Sequence, residues 1–98
     1  MLSKKKIENK LAELKPILST RYSVKRLGLF GSYSNSLQTE ESDVDILVQF
    51  QKGHKGFFNF IRLKTFLENE LGAKVDLVMK DSVKPRLKKK IFGEVRYV

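Results

Sequence analysis

An α+β fold of the α/β-layer type, a short sheet with helices packed mainly on one face, is predicted for this chain by three observations. Apolar residues recur at helical spacing in two long stretches, and apolar runs of strand length alternate with them. A length of 98 residues gives room for one compact core, so residues 1–98 form a single domain.

The elements follow in order. Leu2, Ile7, Leu11, Leu14 and Leu18 are spaced as one face of an amphipathic helix over residues 2–21. Pro16 lies inside that pattern and predicts a kink or break near Lys15. Residues 24–30, Val-Lys-Arg-Leu-Gly-Leu-Phe, read as a strand that ends abruptly at Gly31-Ser32. Residues 33–42 are mostly polar and predict a short helix followed by a loop. Residues 44–50 form a second strand, apolar at nearly every position and therefore central in its sheet. A Gly-Lys turn leads into a helix over 57–71, with Phe60, Leu63, Leu67 and Leu71 in register and Gly72 as its stop. Residues 74–78 read as a third strand. Asp81-Ser82 then caps a last helix over 83–92, with Pro85 tolerated in its first turn.

Composition narrows the function classes. At 41% hydrophobic and 32% charged residues the chain is globular, and no run approaches the ~18 apolar residues of a membrane span. The N-terminus carries charge without an apolar core behind it, so no signal peptide is expected. The absence of cysteine excludes disulfides and thiolate metal sites and fits a reducing, cytoplasmic setting. A net charge of +9 makes polyanions, namely nucleotides, nucleic acid or an acidic protein, the first partner class to consider. The excess concentrates in residues 80–98, where seven bases face two acids. A solvated helix face explains such a run equally well.

The acids are more informative. Of four aspartates, Asp43, Asp45 and Asp76 fall within or beside apolar strand runs, a poor place for Asp on propensity. Asp43 and Asp45, two apart at the start of a strand, leave the same face with Cα atoms roughly 7 Å apart. Two such carboxylates repel unless one is protonated or a hard cation such as Mg²⁺ or Mn²⁺ lies between them. Gly31-Ser32 at a strand end offers close backbone approach, amides and a hydroxyl to a phosphate. Asp76 adds a third acid on a neighbouring strand, and three acids so arranged can serve a two-metal phosphoryl-transfer site.

Gly31-Ser32, then residues 42–48 (Ser-Asp-Val-Asp-Ile-Leu-Val), then residues 75–78 (Val-Asp-Leu-Val) resemble the minimal nucleotidyltransferase domain of the DNA polymerase beta superfamily. The likeness runs from about Leu11 to Val98 and includes residues 84–87 and 91–95. It implies a short mixed sheet, two Mg²⁺ ions, and transfer of a nucleoside monophosphate from ATP or another triphosphate to a hydroxyl with release of pyrophosphate. On this resemblance Gly31 and Ser32 hold the triphosphate and Asp43 and Asp45 ligate the metals. Asp76 ligates the catalytic metal and helps deprotonate the acceptor. Members of this group often accompany a small helical HEPN-type toxin and adenylylate one of its tyrosines, acting as antitoxin. The chain departs from the family where a small residue, Arg and Gly are usual, carrying Ser34, Asn35 and Ser36 instead. That departure removes a cation that Asn cannot replace.

Other residues point less sharply. His54 reads as a solvated turn residue. Phe57, Phe58 and Phe60 cannot all be buried on one helix face, so one or two are expected to face a homodimer or partner interface. Tyr33 suits base stacking or simple packing against the loop. Lys88, Lys89 and Lys90 suit RNA or nucleotide attraction as well as a solvated helix end. Three readings stand: an Mg²⁺-dependent nucleotidyltransferase, a catalytically weak antitoxin that neutralises by contact, and a basic RNA-binding module.

Overall fold

The computed structural model describes residues 3–31, 43–54 and 56–98. Helix α1 spans Lys4–Tyr22, and the Ser3 hydroxyl caps it by accepting from the Lys6 amide at 3.1 Å. Ile7, Leu11, Leu14, Leu18 and Tyr22 are its buried stripe. The expected break at Lys15 does not occur; α1 runs on through Pro16. Pro16 lies on the exposed side, so the ladder bond it cannot make is missing where water can replace it. The unbroken stripe on the opposite side holds both halves to one core. The Thr20 hydroxyl also donates to the Pro16 carbonyl at 2.8 Å. Ser23 ends the helix in the left-handed conformation, its amide donating to the Leu18 carbonyl.

Four strands, β1 (Val24–Phe30), β2 (Val44–Phe50), β3 (Val75–Met79) and β4 (Arg96–Tyr97), form one sheet in the order β3-β2-β1-β4. β1 is antiparallel to both β2 and β4, whereas β2 and β3 are parallel, so the sheet is mixed as expected. The parallel pair is joined by helix α2 (Phe57–Leu71), which stops at Gly72 with φ +64°. The Asn59 side chain ties the start of α2 down by donating to the carbonyls of Tyr22 and His54 at 2.7 and 3.0 Å. His54 itself is exposed in the turn, as the sequence suggests.

Strand alternation divides the sheet into two chemically different faces. Leu27, Leu29, Val44, Ile46, Val48, Phe50, Val75 and Leu77 point to one face and form the main core with α1 and α2. Phe30, Leu47 and Val78 point the other way, into a smaller cluster with Val83 and Ile91. Helix α3 (Pro85–Glu94) covers that second face only in part, so the helices do lie mainly on one side. A Leu67→Ala variant removes a wholly buried side chain from the main core. It should lower unfolding stability by about 2–5 kcal/mol, read from the shift of the urea midpoint.

Two sequence expectations need correction. The last helix starts at Pro85, not at residue 83, because Lys80–Ser82 form a separate 3₁₀ turn and no side chain caps α3. Strand β4 was not anticipated; a two-residue strand has no periodicity to read, and its pairing of Tyr97 with Gly28 is entirely non-local. The helix-then-loop expected over residues 33–42 lies outside the described residues.

Candidate active site

β1 and β2 run antiparallel with Phe30 opposite Asp45, and β2 and β3 run parallel with Asp45 opposite Asp76. The Val44 amide donates to the Lys74 carbonyl at 2.9 Å just ahead of β3, which secures this register. Asp45 and Asp76 therefore stand side by side on neighbouring strands, on the face that α1 and α2 leave open. Asp43, exposed and one residue ahead of β2, precedes Asp45 on the same strand path. The three predicted acids thus lie at one end of one face. Asp45 is half-buried and Asp76 is exposed.

Electrostatics single out Asp45. Burial, and next the negative charge of Asp76, push its carboxyl from 3.8 up to about 6. A hydrogen bond to Asp76, which requires a proton on one of the two, and the charges of Asp43 and Glu94 raise it further. This is an all-oxygen, electron-rich cluster that a proton or a hard cation must partly neutralise. Among the described residues no three carboxylates converge closely enough to enclose one ion by themselves.

Gly31 closes the site from the β1 side. Its φ of +70° turns the chain out of the strand, and a Cβ at this position would collide with Asp45 Oδ2. The absence of a side chain is thus required twice, for the turn and for the carboxylate. The Gly31 amide donates to Glu94 Oε2 at 3.3 Å. Ser32, Tyr33, Ser34, Asn35 and Ser36 lie outside the described residues.

Glu94 is the residue that sequence reasoning missed. It ends α3, is half-buried, and joins the cluster from 63 residues beyond Gly31. A signal existed. An acid in the last turn of a helix opposes the macrodipole, and here it ends a helix that otherwise carries only bases. Next to the cluster a largely apolar cleft of about 330 Å³ opens between this sheet face and α3, with Phe30 and Asp76 in its lining.

A strand ending in glycine, an Asp-x-Asp leading into the next strand and a third Asp beside it in parallel register thus come together as the sequence analysis expects. Residues 11–98 match the model of the nucleotidyltransferase domain. The chain belongs to that family. The protein adenylyltransferase MntA of Thermococcus cleftensis is 44% identical to this nucleotidyltransferase over 98 residues, covering 100% of this chain and 98% of the relative. Among solved structures, a minimal nucleotidyltransferase superposes with a TM-score of 0.84 at 28% identity, covering 97% of this chain and 95% of that one. A toxin–antitoxin structure with AMP-PNP matches with a TM-score of 0.74 at 28% identity, covering 92% of this chain and 70% of that one. The expected α+β fold is therefore the family's own. Among the described residues of this nucleotidyltransferase, no helix is long and apolar enough to cross a membrane.

Phe57 and Phe58 are 72% and 81% exposed at the start of α2, whereas Phe60 packs against the main core. That division agrees with the helical geometry expected from the sequence. The run from Lys84 to Lys90 is exposed throughout, and the ion pairs among the described residues, Lys4–Glu8 and Lys10–Glu70, involve none of it.

Proposed function

We propose that this nucleotidyltransferase is a protein adenylyltransferase that moves AMP from ATP to a tyrosine hydroxyl of a helical HEPN-type partner and thereby acts as its antitoxin. The observation that carries the reading is the Asp45–Asp76 pair beside Gly31, on the one sheet face not closed by α1 and α2. The adenylyltransferase relative and the nucleotide-bearing toxin–antitoxin structure support the same substrate and partner class.

In this proposal Gly31 gives the triphosphate close backbone approach, and the amides that follow it and the Ser32 hydroxyl are the donors. Asp43, Asp45 and Asp76 would hold Mg²⁺, two ions in the full site, which when bound offsets charge on the triphosphate and on the departing pyrophosphate. A cation held there would favour the ionised form of Asp45, which burial and Asp76 disfavour. Asp76, the more exposed carboxylate on the outer strand, takes the proton of the acceptor hydroxyl. The acceptor oxygen bonds to the α-phosphorus, the bond to the bridging oxygen breaks, and pyrophosphate leaves with that electron pair. Glu94 is a positioning residue, holding the Gly31 amide while its charge bears on Asp45. The exposed Phe57–Phe58 pair suits the helical partner, or a second copy of this chain, as its cover. The cysteine-free composition suits a cytoplasmic setting for this pair of proteins.

The test is label transfer from ATP carrying its label on the α-phosphate to a co-expressed HEPN-type partner. Transfer should require Mg²⁺, cease in EDTA and cease in the Asp43→Asn/Asp45→Asn/Asp76→Asn triple variant. A triple variant that still silences the partner would instead assign antitoxin action to contact alone.

A further inference from the structure

The cleft under α3 is walled by Phe30, Val78, Val83, Leu87 and Ile91, and its charged lining residues are Asp76 and Lys84. Val83 and Ile91 are buried, whereas Leu87 remains 39% exposed. We propose that this cleft seats the aromatic ring of the acceptor side chain and presents its phenol hydroxyl to Asp76. The proposal rests on the adenylyltransferase reading and adds to it the place where the acceptor binds.

Size, chemistry and position all argue for this occupant. A volume of about 330 Å³ is at the small end of the roughly 300–1,000 Å³ of ligand clefts and holds one aromatic ring. Apolar walls combined with a carboxylate match an amphipathic phenol, whose ring is apolar and whose hydroxyl needs an acceptor. A serine or threonine side chain would leave the apolar walls uncovered. Position is set by the sheet order. Gly31 follows β1, Asp45 is on β2 and Asp76 is on β3 at the sheet edge. The cleft reaches from Asp76 on the edge strand to Phe30, which precedes Gly31 and pairs with Asp45, so a ring seated there lies beside the carboxylate pair. Lys84, also in the lining, is exposed at the cleft.

The experiment uses methyl-labelled full-length protein, titrated separately with N-acetyl-tyrosinamide and with adenosine while methyl resonances are followed. N-acetyl-tyrosinamide should move the resonances of Val78, Val83, Leu87 and Ile91, and adenosine should leave them in place. Leu87→Trp, which fills the mouth from an exposed position, should weaken N-acetyl-tyrosinamide binding by roughly tenfold or more while Mg-ATP affinity stays within about twofold. Movement of the same methyls by adenosine would make the cleft a nucleobase site and overturn the proposal. Absence of movement with N-acetyl-tyrosinamide would overturn it equally. Failure of the adenylyltransferase reading would look different: no AMP transfer to any tyrosine-bearing protein, whatever the methyl resonances do.

Discussion

Asp45→Asn is expected to abolish AMP transfer and, in metal-free buffer, to make the protein more stable. Both effects come from the same crowding. In the folded chain the Asp45 carboxyl is pushed up to about 6 by burial and by Asp76, with Asp43 and Glu94 adding to the effect. A carboxyl whose folded pKa is raised binds its proton more tightly in the native than in the unfolded state. Its contribution to stability is therefore present below the unfolded value of 3.8 and is lost as pH rises through about 6. At neutral pH the ionised group is a net burden. Asn removes the charge yet can still donate to Asp76. After allowance for solvent screening of a half-buried group, the gain should be about 1 kcal/mol at pH 8, a few degrees in Tm. Urea unfolding in EDTA at pH 4 and pH 8 checks this, since the difference between wild type and variant should appear only at the higher pH. Added Mg²⁺ should raise the Tm of the wild type and leave the variant nearly unchanged. A variant less stable than wild type in EDTA at pH 8 would show that Asp45 is not under electrostatic strain. Stability sacrificed at a reactive carboxylate is a recurrent feature of catalytic sites.

Gly31→Ala should cost roughly 100-fold or more in AMP transfer, because displacement of a reacting group by about 1 Å is enough for such a loss. Gly72 provides the matched control. Both glycines have positive φ, +70° and +64°, but a Cβ at Gly72 meets nothing within 4 Å whereas one at Gly31 runs into the Asp45 carboxylate. Gly72→Ala should therefore cost only the backbone term, about 1 kcal/mol, with transfer unchanged. Gly31→Ala should lose that amount and also force Asp45 or the turn aside. Parallel urea curves and transfer rates for the two variants separate conformation from collision. Equal transfer rates would mean that the contact with Asp45 has no functional weight.

Much of this architecture is legible in the residues themselves because it rests on local periodicity. The stripe from Ile7 to Leu18, the Leu63–Leu67–Leu71 register and the glycine stop at Gly72 each express geometry within one element. The Asp-x-Asp on a strand places both acids on one face by the same local logic. Pro16 misleads because propensity is local while its outcome is not. A proline on the solvent side leaves the buried stripe unbroken, and packing of that stripe outweighs the lost bond.

What only the tertiary structure decided is which groups meet. Asp45 stands beside Asp76 because β2 and β3 pair in parallel with a single register, a choice made by core packing 31 residues apart in sequence. Glu94 reaches Gly31 only because α3 folds back over the second face and β4 pairs with β1 at Gly28 and Leu29. No periodicity encodes that approach, since its energy comes from contacts between distant segments. By itself the sequence determined the three long helices, the first three strands and their order, and it singled out Gly31, Asp43, Asp45 and Asp76. The sheet register and the return of α3 determined how Asp45, Asp76 and Glu94 share charge and where a cleft remains open beside them.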